Sequence, residues 1–195
     1  MSASAAGEPV ICVKIGVFGW KKVGKTSLIH VFCVHRSCDG DEEIMEDLPL
    51  QRRVIDGKQF ELNLVDCCSD EENPNQVMKT VDAFVLVYDT TNRESFDRID
   101  EVLQQIYETR EGAPSPFVLC GNKCDLSSDR VVSNEEGVTL AGVMHVPFFE
   151  TSAKTCTNVD EVFTELVRQY SVFKESKQND NSEHIGGRRT ICTIC

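Results

Sequence analysis

The sequence has too few basic residues to balance its acidic ones: 20 lysines and arginines face 32 aspartates and glutamates, for a formal net charge of -12. A nucleic-acid backbone would be repelled by most of such a surface, so we expect no nucleic-acid partner. No apolar run is long enough to span a bilayer. Residues 1–9 lack the basic start and apolar block of a signal peptide. The four histidines (His30, His35, His145 and His184) lack a metal-binding spacing.

The ten cysteines also lack the regular spacing of a secreted disulfide framework. Several fall in apolar stretches that are typical of strands or helices, among them Cys12, Cys33 and Cys120. Without a signal peptide, this pattern predicts reduced cytosolic thiols, most of them buried.

A phosphate-binding loop follows the first apolar stretch. Residues 10–18 are largely β-branched and predict a strand, and Gly19, Gly24, Lys25 and Thr26 then match G-x-x-x-x-G-K-[ST]. The glycines let successive backbone N–H groups turn towards phosphate oxygens at the start of a helix. We expect Lys25 to reach the β and γ phosphates and Thr26 to offer its hydroxyl to Mg²⁺. The predicted phosphate-binding residues are Gly19, Lys22, Val23, Gly24, Lys25, Thr26 and Ser27.

The hydrophobic pattern alternates between strands and helices. Further strands are predicted at 51–55, 59–65, 83–88, 116–120 and 147–150, and helices at 25–36, 95–108, 134–144 and along the apolar stripe 159–173. Residues 69–80 predict a loop with at most a short helix. This order indicates an α/β fold, a mostly parallel six-stranded sheet with helices on both faces. We expect a flexible extension over 1–9, one domain over 10–175 and a disordered tail over 176–195.

Two strands end in polar segments that fit guanine. Open α/β sheets bind ligands at the carboxyl ends of their strands, where 122–125 and 151–154 lie. Asp125 can accept both the N1–H and the exocyclic amine of guanine, and adenine has neither donor there. Asn122 can bridge the loops, the Lys123 stem can lie along the base, and the Ala153 N–H can donate to guanine O6. The predicted guanine-binding residues are Asn122, Lys123, Asp125, Ser152, Ala153 and Lys154.

With these motifs the chain resembles a small GTPase of the Ras superfamily, nearest the Ras/Rap branch, over roughly residues 10–173. The resemblance rests on the phosphate loop, on Glu46-Asp47 ahead of Val54-Ile55-Asp56-Gly57, on Asp66, and on the segments 122–125 and 150–154. It implies a monomer that binds GDP or GTP with Mg²⁺, the metal being held by Thr26 and, through water, by Asp66. It also implies a switch read by effector and regulator proteins. Glu46 and Asp47 match the effector segment, and their charge would favour a basic partner.

The chain departs from this family where the family senses and hydrolyses GTP. Ile44 stands where a threonine binds Mg²⁺, and no serine or threonine occurs between Ser37 and Ser69 to replace it. Ser37 takes the place of an aromatic residue that stacks on guanine. Ser69 and Asp70 replace the glycine and glutamine of the second switch, in a segment shorter than usual. No catalytic residue is therefore assigned, and we expect slow hydrolysis and a muted conformational change.

Several alternatives stay open. Lys21 and Lys22 either crowd the approach of an activating protein's arginine, or Lys21 adds positive charge of its own, or both are simply solvated. The acidic residues 39–43 either attract a partner, supply a replacement Mg²⁺ ligand or are solvated. A pseudo-GTPase that acts through its surface is the second functional hypothesis. An ATP-dependent kinase is disfavoured by Asn122 and Asp125.

The sequence ends in Cys192-Thr193-Ile194-Cys195, a C-a-a-X match that predicts prenylation of Cys192 and attachment to the cytoplasmic face of a plasma or internal membrane. A Cys-x-x-Cys metal or redox pair is the alternative. With only Arg188 and Arg189 beside it, one lipid chain would bind reversibly. We expect mass spectrometry to find a prenyl group on Cys192 in cells with prenyl transferases, and Cys192→Ser to move the protein into the soluble fraction. An unmodified Cys192 would contradict this.

Overall fold

The computed structural model describes residues 9–34, 50–67 and 74–186, with side chains up to 178. Several predicted positions therefore lie outside the described residues, namely Ser37, Ile44, Glu46, Asp47, Ser69, Asp70 and Cys192.

Strands and helices alternate along the described chain. The strands are β1 Ile11–Phe18, β2 Gln51–Ile55, β3 Lys58–Asp66, β4 Ala83–Asp89, β5 Phe117–Asn122 and β6 Phe148–Glu150. The helices are α1 Lys25–Val34, α2 Pro74–Thr80, α3 Arg93–Asp97, α4 Ile99–Thr109, α5 Asn134–Met144 and α6 Val159–Gly186, with a short 3-10 turn at Ser127–Asp129. Pro74 opens α2, a position where its missing N–H is not needed.

The described strands form one six-stranded sheet in the order β2-β3-β1-β4-β5-β6. Only the β2–β3 hairpin is antiparallel, and all other neighbouring strands run parallel. The predicted α/β fold is therefore confirmed. β1 lies between β3 and β4. The chain adds β2 and β3 on one side of β1 and then β4, β5 and β6 on the other side. The loop after β1 thus opens at the switch point where such sheets bind ligands.

Helices cover both faces of the sheet, and β4 shows this most directly because every one of its residues is buried. Val85 and Val87 belong to a core cluster with α1 and α6, while Phe84, Leu86 and Tyr88 belong to a second cluster with α2, α4 and α5. A continuous apolar run is therefore a strand with two buried faces. The sheet that carries the polar segments at its strand ends is thus packed on both faces.

Three predicted features differ in the structure. The single helix predicted over 95–108 is divided at Arg98 into α3 and α4. β5 continues through Gly121 and Asn122 because these residues pair with Tyr88 and Asp89 of β4. α6 continues to Gly186, into the segment from residue 176 that was expected to be disordered, and no proline interrupts it.

The cysteines depart from the prediction in part. Cys67 and Cys120 are buried free thiols, and Cys12, Cys33 and Cys124 are free but at least partly exposed. Cys156 is disulfide-bonded, so the prediction of reduced thiols is wrong there; it lies in an exposed turn with φ 56°. No described helix has the length and hydropathy needed to cross a membrane.

The two glycines of α5 provide a matched test of the packing. A Cβ at Gly137 would clash with the Phe148 ring and lie 2.5 Å from the Tyr88 hydroxyl, whereas a Cβ at Gly142 meets nothing within 4 Å. We expect Gly137→Ala to lower the free energy of unfolding by about 1–3 kcal/mol through overpacking. Gly142→Ala should raise it by about 0.5–1 kcal/mol, because alanine favours the helix. Urea unfolding of both variants checks this, and equal effects would contradict it.

Candidate nucleotide site

The phosphate loop joins β1 to α1 in a shape that its glycines permit. Gly19 has φ 151° and Gly24 φ 96°, both unfavourable for residues with a side chain. A Cβ on Gly19 would clash with the Val87 carbonyl, and one on Gly24 would clash with the Asn122 amide. The glycines thus allow the loop to lie directly against the ends of β4 and β5.

Lys25 lies inside this loop rather than in solvent. Its side chain is 5% exposed, and Nζ donates to the carbonyls of Gly19 and Trp20 at 3.0 Å each. Both acceptors are neutral, so the buried ammonium charge has no carboxylate partner among these contacts. A buried, uncompensated cation within a loop of backbone N–H groups is a site that attracts phosphate.

Thr26 and Asp66 meet at the edge of this loop. The Thr26 hydroxyl donates to Asp66 Oδ2, so the start of α1 contacts the end of β3. Asp66 Oδ1 is buried and has no hydrogen-bond partner in the described part of the chain. Hydroxyl and carboxylate oxygens are the ligands that Mg²⁺ prefers. The unpartnered oxygen and this donor set therefore fit the predicted metal role.

Asn122 connects the phosphate loop to the base loops. It is 1% exposed; its Nδ2 donates to the Val23 carbonyl at 2.8 Å, and its Oδ1 accepts from the Thr151 hydroxyl at 3.2 Å. The predicted bridge between loops is present in the structure. Both the donor and the acceptor of this amide are used. The end of β5 is therefore bonded to the phosphate loop and to the segment after β6, which fixes the positions of the three segments relative to one another.

Asp125 and Ser152 lie together at the base end of the site. The Ser152 hydroxyl donates to Asp125 Oδ1 at 2.6 Å and accepts from the Thr155 N–H at 3.1 Å. The Asp125 carboxylate is thereby oriented before any ligand arrives. Burial, followed by the negative charges of Glu150 and Asp125, raises the pKa of the Cys124 thiol next to Asp125 in the chain. This thiol is therefore predominantly protonated at neutral pH.

Lys123 lies between the two ends of the site. Its Nζ donates to the Lys22 carbonyl at 2.9 Å and pairs with Asp89 Oδ2 at 2.6 Å. Lys22 and Lys123 both have left-handed backbones, with φ 63° and 65°. The remaining predicted residues lie nearby, Val23 and Ala153 against the core and Ser27 and Lys154 exposed.

Sequence reasoning missed Asp89. The signal was present, since Asp89 ends a buried parallel strand as Asp66 ends β3 and Asn122 ends β5. It was overlooked because no motif contains it. The described residues contain no cluster of three or more His, Cys, Asp or Glu side chains that would hold a metal ion.

Trp20 lies in the phosphate loop, and its ring contacts two cationic side chains. The Arg98 guanidinium stacks over its ring at 4.0 Å, and Lys21 Nζ lies 5.6 Å from the ring centre. Arg98 is itself held by Glu94 and Glu101 at 3.0 Å each. This cation–π contact ties the loop to the junction of α3 and α4, where the helix is divided.

The comparisons agree with this geometry. The model of the Ras family matches residues 14–172. Ras-like protein 1 of Saccharomyces cerevisiae is 40% identical over 158 residues, which cover 80% of this chain and 51% of the yeast protein. Ras-like protein rasS of Dictyostelium discoideum is 35% identical over 173 residues, covering 87% and 89% of the two chains. This chain thus spans about half of its yeast relative. From its fold, its loops and these matches, the chain belongs to the Ras family of small GTPases.

Proposed function

We propose that this protein binds GDP and GTP with Mg²⁺, hydrolyses GTP slowly and signals through its surface with altered switches. The observation that carries the proposal is the Asn122 bridge, with contacts of 2.8 and 3.2 Å to the phosphate loop and to the base loop. It fixes the phosphate loop relative to the base loop, which is what a site that grips both ends of a guanine nucleotide requires. A site built in this way discriminates bases through its buried polar groups.

The described side chains divide the work of holding the nucleotide. Lys25 and the loop N–H groups would bind the phosphates, and Asp125 with the Ala153 N–H would read the guanine edge. Thr26, and Asp66 through water, would hold Mg²⁺. When bound, this ion neutralises charge on the β and γ phosphates. Asp66 has the unpartnered oxygen that this role needs.

Hydrolysis is the weak part of the site. Asp70 takes the place of the glutamine that orients the attacking water, and an ionised carboxylate cannot donate as an amide does. Ser69 replaces the glycine whose N–H contacts the γ phosphate, and Ile44 cannot coordinate the metal. The changes at Asp70 and Ile44 each remove stabilisation from the transition state and leave the binding of the diphosphate in place.

The contacts of α2 support a muted conformational change. Asn75 Oδ1 accepts from Gln105 Nε2 at 2.8 Å and from the Thr109 hydroxyl at 3.4 Å, both on α4. Arg110 donates to the carbonyls of Met78 and Val81 at 3.3 and 2.7 Å, closing the end of α2. Movement of this helix would break these bonds and expose the fully buried Met78 side chain.

Partners would meet the edge of the sheet beside the effector segment. β2 is an edge strand, and Leu50 and Val54 around it are 56% and 71% exposed. An edge of this kind can accept a partner strand, while Glu46 and Asp47 would favour a basic effector or regulator. Membrane attachment through Cys192 stays a prediction from the sequence, as does the monomeric state.

A constitutive binding module is the second candidate. Ile44, Ser69 and Asp70 favour it, because a protein that neither senses nor cleaves the γ phosphate works by its surface alone. The two candidates differ in turnover. Identifying the nucleotide that copurifies with the protein, and following its conversion, separates a slow GTPase from a module that holds one nucleotide unchanged.

Asp125→Asn tests the base specificity. The amide offers a donor where guanine also presents donors, so we expect GDP affinity to fall by at least about 100-fold. Xanthine carries a carbonyl in place of the exocyclic amine, so xanthosine diphosphate should bind the variant better than the parent. Titration calorimetry with both nucleotides measures this, and xanthosine diphosphate binding is the control that the loop is folded. A variant that keeps parental GDP affinity would contradict the guanine assignment.

Asp70→Gln tests the hydrolysis proposal. Placing an amide where water must be oriented should raise the single-turnover rate of GTP hydrolysis by roughly tenfold. Asp70→Asn is the matched control, because it removes the negative charge without extending an amide to the same reach. A larger gain with Gln than with Asn would assign the defect to positioning, and equal gains would assign it to repulsion. Fast hydrolysis by the parent would overturn the proposal.

A further inference from the structure

Asp89 is a buried carboxylate at the centre of the nucleotide site that the proposed function does not use. It is the last residue of β4, is 5% exposed, and places Oδ2 2.6 Å from Lys123 Nζ. A carboxylate is removed from water only at a cost, so a buried one is retained where it has specific partners.

The Asp89 side chain is fixed by its own segment. Oδ1 accepts from the Thr91 N–H at 2.8 Å and from the Thr91 hydroxyl at 2.7 Å. The Asp89 N–H donates to the Ser95 hydroxyl at 3.0 Å, at the start of α3. One oxygen is thus used to set the orientation, and the other is presented to Lys123.

Without these contacts, Lys123 would be a flexible side chain on a residue with a left-handed backbone conformation. Its φ is 65°, its side chain is 32% exposed, and its one other described acceptor is the Lys22 carbonyl. A lysine loses substantial rotamer freedom when it is immobilised. With Asp89 on one side and the phosphate loop on the other, the ammonium is held while the stem crosses the space between the two ends of the site.

We propose that Asp89 is a positioning residue for guanine-nucleotide binding: it anchors the Lys123 ammonium so that the lysine stem forms a preorganised platform for the face of the base. The inference rests on the proposed function, since it assumes that a purine nucleotide lies on Lys123. Anchoring the lysine before binding reduces the ordering cost at the moment of association. It also ties β4 to the base, a link that the motif residues do not provide.

The platform role predicts an effect that does not depend on the polar edge of the base. The stem contacts the ring face, whereas Asp125 reads the edge. Loss of the anchor should therefore speed the release of GDP and of inosine diphosphate, which lacks the exocyclic amine, by the same factor. A change that disturbed the Asp125 loop would alter the ratio between the two nucleotides.

The test compares Asp89→Asn with the parent by stopped-flow release of fluorescent GDP and inosine diphosphate from the full chain with Mg²⁺. We expect release of both to quicken by about tenfold, the size of one lost hydrogen bond to a charged group. Asp97→Asn is the matched control, because it removes a carboxylate charge from the same segment at a side chain that pairs with Arg93 and not with Lys123; its release rates should stay near those of the parent. Asp89→Ser is the second variant should Asp89→Asn fail to fold, as judged by urea unfolding.

A double-mutant cycle with Lys123→Met assigns the route of the effect. If Asp89 acts through Lys123, Asp89→Asn will not speed release further in the Lys123→Met background. Parental release rates in the single variant, or an undiminished effect in the double variant, would overturn the inference. A parent that binds no guanine nucleotide would instead refute the proposed function, so the two failures are distinguishable.

Discussion

The buried side chain of Asn122 is the interaction on which the site depends. One amide donates to the phosphate loop at Val23 and accepts from Thr151 in the base loop, and both groups are cut off from water. Gly24 has no side chain where this amide lies, so its left-handed backbone serves the same contact. Without the bridge, each loop would retain its chemistry and lose its position relative to the other.

Around this bridge, the residues proposed to hold a nucleotide match the family motifs, and those proposed to act on it are altered. Lys25 and Thr26 lie at the start of α1, and Asp66 lies at the end of β3. The altered positions, such as Ile44 and Asp70, are those proposed to sense and cleave the γ phosphate. Binding energy and catalysis are separable because only interactions that strengthen in the transition state accelerate the reaction.

The two loops have charged supports. Arg98 stacks on Trp20 at the outer side of the phosphate loop, and Asp89 pairs with Lys123 beneath it. Neither contact belongs to a nucleotide-binding motif. Both tie the loops to β4 and the helices that follow it, so rigidity in this part of the protein comes from the middle of the sheet.

The sequence by itself determined the fold class and the candidate binding loops, because buried strands, hairpin turns and phosphate loops are encoded by neighbouring residues. It also located Asn122 and Asp125 at strand ends. Only the tertiary structure decided that β5 extends through Gly121 and Asn122. These residues have a low strand preference, and they pair with Tyr88 and Asp89. It likewise decided the division of the helix at Arg98 and the pairing of Asp89 with Lys123. These features depend on contacts between segments distant in sequence, about which local pattern carries no information.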